Sequence, residues 1–261
     1  MKKAIISLMF ISQSILAAGI TTGPNNVFIE QIGTSNNITV EQVGGTNNVG
    51  GTAGSITVDS FGITTMTPSA ASNINYATVT GSSNILSITQ HGSNDWSQYN
   101  IFGNMNQYTS LVTGSNNQTL LNIGSQASAG NLNNIIKETF TGDSNLSIQN
   151  IIGSYITSNL SVTGNLNQVT QNISGTTGSA SLANSSNINI SGSNNVLNTQ
   201  QTDVGIHLLT ETVVGSYNSI YTQQQGANNT NVDINTQGSF NTITVRTSSA
   251  SIVAPQSAIA R

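Results

Sequence analysis

Residues 25–48 read NNVFIEQIGTSNNITVEQVGGTNN. Within this stretch the segment NNVFIEQIG is repeated eleven residues later, in similar form, as NNITVEQVG. A third copy opens at Asn47. Each unit starts with amides, ends in Gln-x-Gly and alternates apolar with polar residues between. Glycines spaced by eleven carry the same unit along the chain, at Gly81, Gly92, Gly103 and Gly114, at Gly142, Gly153, Gly164 and Gly175, and at Gly215 and Gly226.

The spacing of polar and apolar residues within a unit predicts a β-strand. Asn36, Ile38, Val40 and Gln42 are two residues apart, and alternate residues of a strand point to the same face. Each unit is therefore a strand with two apolar residues at its centre and an amide at each end of the buried face. We predict that the buried amides form hydrogen-bonded ladders, and they are Asn25, Gln31, Asn36, Gln42, Asn84, Gln90, Asn167, Gln171, Asn195, Gln201, Asn218, Gln224 and Asn241.

A single strand of this kind cannot bury its apolar face alone, so successive units must stack. The sequence predicts an all-β fold, a parallel two-sheet β-solenoid with coils of about 22 residues, each made of two eleven-residue strand-and-turn units. Residues 22 apart should pair in such a solenoid, whereas residues 11 apart would pair in an antiparallel meander. About eleven coils are expected at 4.8 Å each. Stacking also pairs each buried amide, which would otherwise cost several kcal/mol.

Composition narrows the class of protein further. The chain has 261 residues, of which only 5% are charged, against roughly 25% in ordinary globular domains. Its 37 asparagines outnumber the five basic and nine acidic side chains together, and the net charge is −4. Such a chain has no electrostatic footprint for nucleic acid. It has no cysteine, so its stability must come from regular hydrogen bonding and packing instead of disulfides.

The order of segments predicts an exported protein. Residues 1–19 combine Lys2 and Lys3 with an apolar stretch and a small-residue ending at Ala17-Ala18-Gly19, as in a bacterial secretory signal peptide. Residues 20–247 form the repeat region, with irregular insertions near 50–72 and 175–186, and residues 248–261 form a tail. The sequence after residue 19 has no run of eighteen apolar residues, so it predicts no membrane span.

Residues suited to catalysis or metal binding are sparse. His91 and His207 are the only histidines, and we interpret them as turn or surface residues. Glu30 and Glu41 take equivalent outward positions of successive strands, which favours a solvated face over an acid and base pair. No zinc spacing, phosphate-binding loop or nucleophile motif occurs. We therefore predict no enzyme activity, no cofactor and no catalytic or metal site.

Three alternatives to a purely structural role remain open. Trp96, Tyr99 and Tyr108 could form a carbohydrate-binding surface patch, although packing in the core or an interface is favoured. An ice-binding solenoid would need a flat face of regular Thr-x-Thr, whereas threonine here is irregular. A secreted solenoid adhesin that does not polymerise would share the fold.

The repeats resemble those of the curlins, the subunits of an extracellular bacterial amyloid called curli. The resemblance rests on QIGTSNN, QVGGTNN, QQQGANN and SSNILSITQHG, the last at residues 82–92. It implies a two-sheet β-solenoid, secretion through an outer-membrane pore, a partner nucleator subunit and homopolymeric fibres of the biofilm matrix that adhere to surfaces. The positions similar to the inward stacked amides of that family are Asn36, Gln42, Asn84, Gln90, Asn218 and Gln224.

The two ends of the repeat region indicate how fibres would grow. Ordinary proteins block exposed strand edges with lysine, proline or a covering helix. Here the first repeat follows Pro24, and the last, residues 241–247, carries only Arg246 as a charge. Both ends are thus expected to be nearly open to another copy of the chain.

Overall fold

A computed structural model describes residues 25–27, 29–50, 55–58, 64–67, 77–124, 133–175, 184–203 and 205–248. In these residues the chain forms β-strands joined by short turns and no helix. The strands are β1 (Asn26–Val27), β2 (Ile29–Ile32), β3 (Asn37–Gly45), β4 (Asn48–Val49), β5 (Ser55–Val58), β6 (Thr64–Thr67), β7 (Ala77–Thr80), β8 (Ile85–Ser93), β9 (Trp96–Phe102), β10 (Gln107–Ser115), β11 (Gln118–Ile123), β12 (Ile135–Thr141), β13 (Leu146–Ile152), β14 (Thr157–Thr163), β15 (Gln168–Ser174), β16 (Ser185–Ser191), β17 (Val196–Thr202), β18 (His207–Val214), β19 (Ser219–Gln225), β20 (Thr230–Gln237) and β21 (Thr242–Ser248).

Successive strands alternate between two parallel sheets. The first sheet, sheet A, has eleven strands and runs from β1 and β2 through β9 and every second strand to β21. The second, sheet B, has eight strands in the order β3, β8, β10, β12, β14, β16, β18 and β20. Each coil is strand, turn, strand and turn, so the prediction of a parallel, two-sheet, solenoid-like fold is confirmed.

The register shows the predicted repeat of 22 residues. Gln107 of β10 pairs with Ile85 of β8, 22 residues earlier, and Thr157 of β14 pairs with Ile135 of β12, again 22 apart. The offset is 28 where six residues are inserted, as between Gln107 and Ile135. None of the described parallel strands pairs with a neighbour 11 residues away, so the meander is excluded there.

The number of coils is smaller than the eleven expected. We call each strand position in a sheet a rung; β1 with β2 forms one rung and β4 with β7 another, because both members of each pair lie side by side on the next strand position. In the described part sheet A then has nine rungs and sheet B eight strands. The difference arises because inserted segments consume residues without adding rungs.

The insertions interrupt the stack at specific points. The segment predicted at 50–72 falls between β4 and β7, the two halves of one rung, and its β5 and β6 pair antiparallel with each other. The segment predicted at 175–186 ends earlier than expected, because β16 begins at Ser185 and is part of sheet B. The predicted signal peptide and the residues after Ser248 lie outside the described residues.

The core lies between the two sheets and follows the alternation of each strand. In β12 the side chains of Ile136, Glu138 and Phe140 are buried, whereas Ile135 and Lys137 are exposed. Apolar side chains from both sheets form two clusters, one around Ile88, Tyr99 and Ile101 and another around Val162, Ile190 and Val213. Burial of one face only is what the period-two pattern predicts.

Glycine is required where the coils turn. Gly192 has φ +143°, and a Cβ there would lie 1.9 Å from the carbonyl oxygen of Gly215 in the next coil. The coils stack closely because these positions carry no side chain.

Candidate assembly site: inward polar columns and the two ends

A column of asparagines runs along sheet A at the first inward position of each rung. The backbone N–H and Nδ2 of Asn145 both donate to Oδ1 of Asn117, at 3.0 Å each. Nδ2 of Asn145 also donates to the carbonyl oxygen of Gly164, at 2.8 Å. Asn145 thus links two rungs of sheet A and also forms a hydrogen bond to the equivalent turn of the next coil. The column comprises Asn25, Asn47, Asp95, Asn117, Asn145, Asn167, Asn195, Asn218 and Asn241.

Sheet B carries a shorter column of the same kind. Asn84 donates from its backbone N–H and from Nδ2 to Oδ1 of Asn36, at 2.9 and 3.1 Å, and Asn106 and Asn134 continue the pattern. Ile156 takes the next position and only its backbone N–H donates to Asn134. The amide column is therefore interrupted at the fifth strand of sheet B, and it returns at Asn184, whose Oδ1 accepts from the backbone N–H of His207.

The predicted glutamines do not form one continuous ladder. Nε2 of Gln42 donates to Oε1 of Gln90 at 3.0 Å, and Nε2 of Gln201 donates to Oε1 of Gln224 at 2.8 Å. Gln31, in contrast, pairs in register with Val79.

Gln171 lies at a different level of the core from the other predicted glutamines. It occupies the third inward position of its strand, one place before the position of Gln42 and Gln224. It accepts a hydrogen bond from the Ser158 hydroxyl at 2.6 Å and donates to the Ser186 hydroxyl. Gln171 thus bridges to the opposite sheet, because its neighbours across the core are serines.

Two buried glutamates are among the polar residues that sequence reasoning missed. Glu138 is 0% exposed and accepts hydrogen bonds from the hydroxyls of Tyr108, at 3.1 Å, and Thr119, at 3.0 Å, and from Nε2 of Gln149, at 3.2 Å. Burial raises its pKa to about 7. The sign that could have identified Glu138 is its parity, since it is two residues beyond Ile136.

Glu211 repeats this arrangement nearer the carboxy-terminal end of the stack. It is 1% exposed, and the hydroxyls of Thr199, at 3.3 Å, and Thr222 donate to it. Burial raises the pKa of Glu211 to about 7.

Asp95 replaces asparagine within the sheet A column. Its Oδ1 accepts from the backbone N–H and from Nδ2 of Asn117, at 2.9 and 3.1 Å. Burial raises the pKa of Asp95 to about 6, although the bonds from Asn117 oppose this shift. The column can therefore accept a carboxyl group in place of an amide oxygen.

The three aromatic residues singled out in the sequence and one of the two histidines are buried. Trp96, Tyr99 and Tyr108 are all buried, and the two tyrosine rings lie 5.0 Å apart, so these three residues form no surface patch. His91 is exposed, 3.6 Å from Glu41. His207 is buried, contrary to expectation, because it takes the inward position that asparagine holds in other units.

A third amide column lies on the outer face of sheet A. Nδ2 of Asn100 donates to Oδ1 of Asn122 at 2.8 Å, and Nδ2 of Asn122 donates to Asn150 at 2.7 Å. Sequence reasoning missed this column, although Asn-Ile recurs in each of these strands and again at Asn172. Outward amides therefore also tie rungs together.

The two ends of the stack expose edge strands in the described part of the chain. At the amino-terminal end these are β1, β2 and β3, and at the carboxy-terminal end β20 and β21. Their inward apolar side chains are less buried than those of the middle coils, where most are 0 to 3% exposed: Val232 and Ile234 are each 7% exposed, and Ile38 and Val245 are only partly buried.

Two of the four buried hydroxyls that have no hydrogen-bond partner among the described residues lie at the carboxy-terminal end, and the other two, of Tyr99 and Ser110, lie within the stack. Thr236 and Thr247 are the last inward residues of β20 and β21, and neither buried hydroxyl has a hydrogen-bond partner among the described residues. Such groups are rare in native interiors and call for a partner.

Comparisons with known proteins identified no relative of this chain. No protein-family model, curated protein or solved structure matches the chain significantly. Within the described ranges no helix could cross a membrane, and no group of three or more histidine or acidic side chains could hold a metal ion.

Proposed function

We propose that this chain is a secreted bacterial subunit that self-assembles into extracellular, curli-like amyloid fibres for the biofilm matrix and surface adhesion. The observation that carries the proposal is the asparagine column of sheet A, which links every rung from Asn25 to Asn241 and ends at an edge strand on both sides of the described stack. A second copy placed on either edge can continue both the column and the strand ladder.

Growth by edge addition has a direct physical basis. An exposed edge strand presents unpaired N–H and C=O groups, and ordinary proteins block it with lysine, proline or inward charges. The edge strands β2, β3, β20 and β21 carry Glu30, Glu41, Asp233 and Arg246 as their charges, and all four are exposed. No charge lies on an inward position of these four strands, so the core face of each edge is free to pair.

The resemblance to the curlins supplies the remaining parts of the proposal. It implies an outer-membrane secretion pore and a nucleator subunit as partners, with residues 1–19 directing export. The chain itself acts without cofactor or enzymatic activity.

The test is polymerisation of the purified chain lacking residues 1–19. We expect dilution from denaturant to give β-rich fibres with a concentration-dependent lag and a 4.7 to 4.8 Å reflection along the fibre axis. A folded monomer that stays monomeric when fibre seeds are added would instead support the secreted adhesin.

A further inference from the structure

We propose that successive copies in the fibre are related by a half-turn about the solenoid axis, so that the two sheets exchange at every junction. This inference rests on the proposed self-assembly. In it, β2 of the incoming copy adds to β20 and β3 adds to β21 of the copy already in place. The occupant of the open end is thus a second copy of this chain in one defined orientation.

The number of rungs is the first reason. Sheet A has nine rungs and sheet B eight strands among the described residues, so the stack contains an odd number of half-coils. A copy added without rotation would place its first rung on β21 and leave one strand position vacant beside β20. A half-turn removes this vacancy, because the incoming copy then begins on β20.

Side chains at the two ends match in the rotated arrangement. Aligning Asn36 with Asn241 places Ile38 on Ile243 and Val40 on Val245. The backbone N–H and Nδ2 of Asn241 donate to Asn218 at 3.0 and 2.9 Å, which leaves Oδ1 of Asn241 facing the open edge. Asn36 of the next copy can donate to that oxygen as Asn84 donates to Asn36.

The other strand pair matches as well. Aligning the rung of β1 and β2 with β20 in the same way places Val27 of β1 on Val232 and Ile29 of β2 on Ile234. All four side chains are apolar and belong to or pack against the hydrophobic clusters. Without rotation, Val232 and Ile234 would face the vacant strand position.

The unpaired threonine hydroxyls gain partners at this junction. Gln42 of the incoming copy aligns with Thr247, and Gln31 aligns with Thr236. Nε2 of Gln42 already donates to Gln90, so its Oε1 is the atom that can accept from Thr247. Both buried hydroxyls therefore meet an amide instead of remaining unpaired.

The glycine column of the turns continues across the junction too. A Cβ at Gly215 would lie 1.9 Å from the oxygen of Gly238. A Cβ at Gly238, in contrast, would meet no atom of the described residues closer than Nδ2 of Asn241 at 3.6 Å. Among the described residues, no glycine turn stacks on Gly238. In the rotated arrangement Gly33 of the next copy occupies this position.

The residue aligned with Arg246 distinguishes the rotated from the unrotated junction, although it is a glutamate in both. Arg246 aligns with Glu41 after a half-turn but with Glu30 without rotation, where β2 would lie on β21. Each aligned pair would be about 4.8 Å apart, which suits a disulfide once both residues are replaced by cysteine. The chain has no cysteine of its own, so introduced pairs report on the junction alone.

The experiment compares three double variants in fibres of the chain lacking residues 1–19. Under mild oxidation we expect Glu41→Cys with Arg246→Cys, and Glu30→Cys with Asn235→Cys, to give ladders of covalent multimers on non-reducing gels. Glu30→Cys with Arg246→Cys is the matched control and should stay largely monomeric. The substituted side chains are all exposed, and the two positions of each pair lie near opposite ends of one chain, too far apart for an internal disulfide.

Each outcome decides a separate point. Multimers from the control pair alone would overturn the half-turn and indicate that copies add without rotation. Fibres in which no pair forms multimers would overturn stacking through these ends. If the cysteine-free chain forms no fibres at all, the proposed function fails before the symmetry is reached.

Discussion

Replacing Glu138 with glutamine should remove part of the pH dependence of stability. The carboxyl group is 0% exposed and sits among three donors, from Tyr108, Thr119 and Gln149. Burial disfavours the charged carboxylate and raises the pKa of Glu138 from 4.5 to about 7. Glutamine has nearly the same shape and stays neutral at every pH.

The sign and size of this pH dependence follow from proton linkage. Above pH 4.5 the unfolded chain releases this proton while the folded chain keeps it, so the free energy of unfolding falls as pH rises. The stabilisation is fully present below pH 4.5 and is lost by the time pH passes the folded pKa near 7. A shift of this size corresponds to about 3 kcal/mol. The free energy of unfolding of Glu138→Gln should therefore fall by about 3 kcal/mol less than that of the unsubstituted chain between pH 4.5 and pH 8.

The assay is guanidinium unfolding of freshly diluted chain before fibres form, followed by fluorescence of Trp96, the single tryptophan. Comparing the pH slope of each protein cancels any constant cost of placing an amide among these donors. Glu30→Gln, at an exposed carboxylate, is the matched control, and the change in slope should be confined to Glu138→Gln. If Glu138→Gln and the unsubstituted chain have the same slope, the buried carboxyl does not titrate as the structure requires.

Three further predictions test the columns. Asn195→Leu should lower the free energy of unfolding by at least about 3 kcal/mol, because it leaves several buried groups unpaired. Asn198→Leu, on the outer face of the strand that follows, should change this free energy by less than about 0.5 kcal/mol. Equal losses in denaturant unfolding would contradict the ladder. Gly192→Ala should cost at least about 2 kcal/mol in the same assay, because its φ is +143° and its Cβ would lie 1.9 Å from the oxygen of Gly215; an unchanged midpoint would show that the turns do not stack closely. Asn36→Leu should slow seeded fibre elongation, measured by dye binding, because it removes the donors at the amino-terminal edge; elongation at the unsubstituted rate would refute a role for this amide in docking.

The sequence predicted the face of each strand better than the contents of the core. Parity alone placed Asn36, Ile38, Val40 and Gln42 on one face, and the structure partly buries all four. A period of two says nothing about what lies across the core, however. Gln171 and Glu138 are polar residues at central inward positions, where the idealised unit has apolar ones, and only the opposite strand reveals their partners.

The number of coils could not be obtained from the repeat either. An insertion of six residues changes the register offset from 22 to 28, as between Gln118 and Leu146, but leaves the stack continuous. Dividing chain length by the period counts these inserted residues as rungs. Whether the count of half-coils is odd or even, on which the half-turn depends, therefore needs the strand pairing.

The scarcity of charge follows from parallel stacking itself. Residues in register on adjacent rungs are only about 4.8 Å apart, so like charges stacked in a column would repel. The chain avoids this along its described length: Glu41 stacks on Thr89, Lys137 lies between Thr109 and Asn159, and Arg246 stacks on Gln223. In the half-turn junction Arg246 then meets Glu41 of the next copy. Two formal charges would share a register position there, but with opposite signs, so each column remains free of like-charge repulsion across the junction.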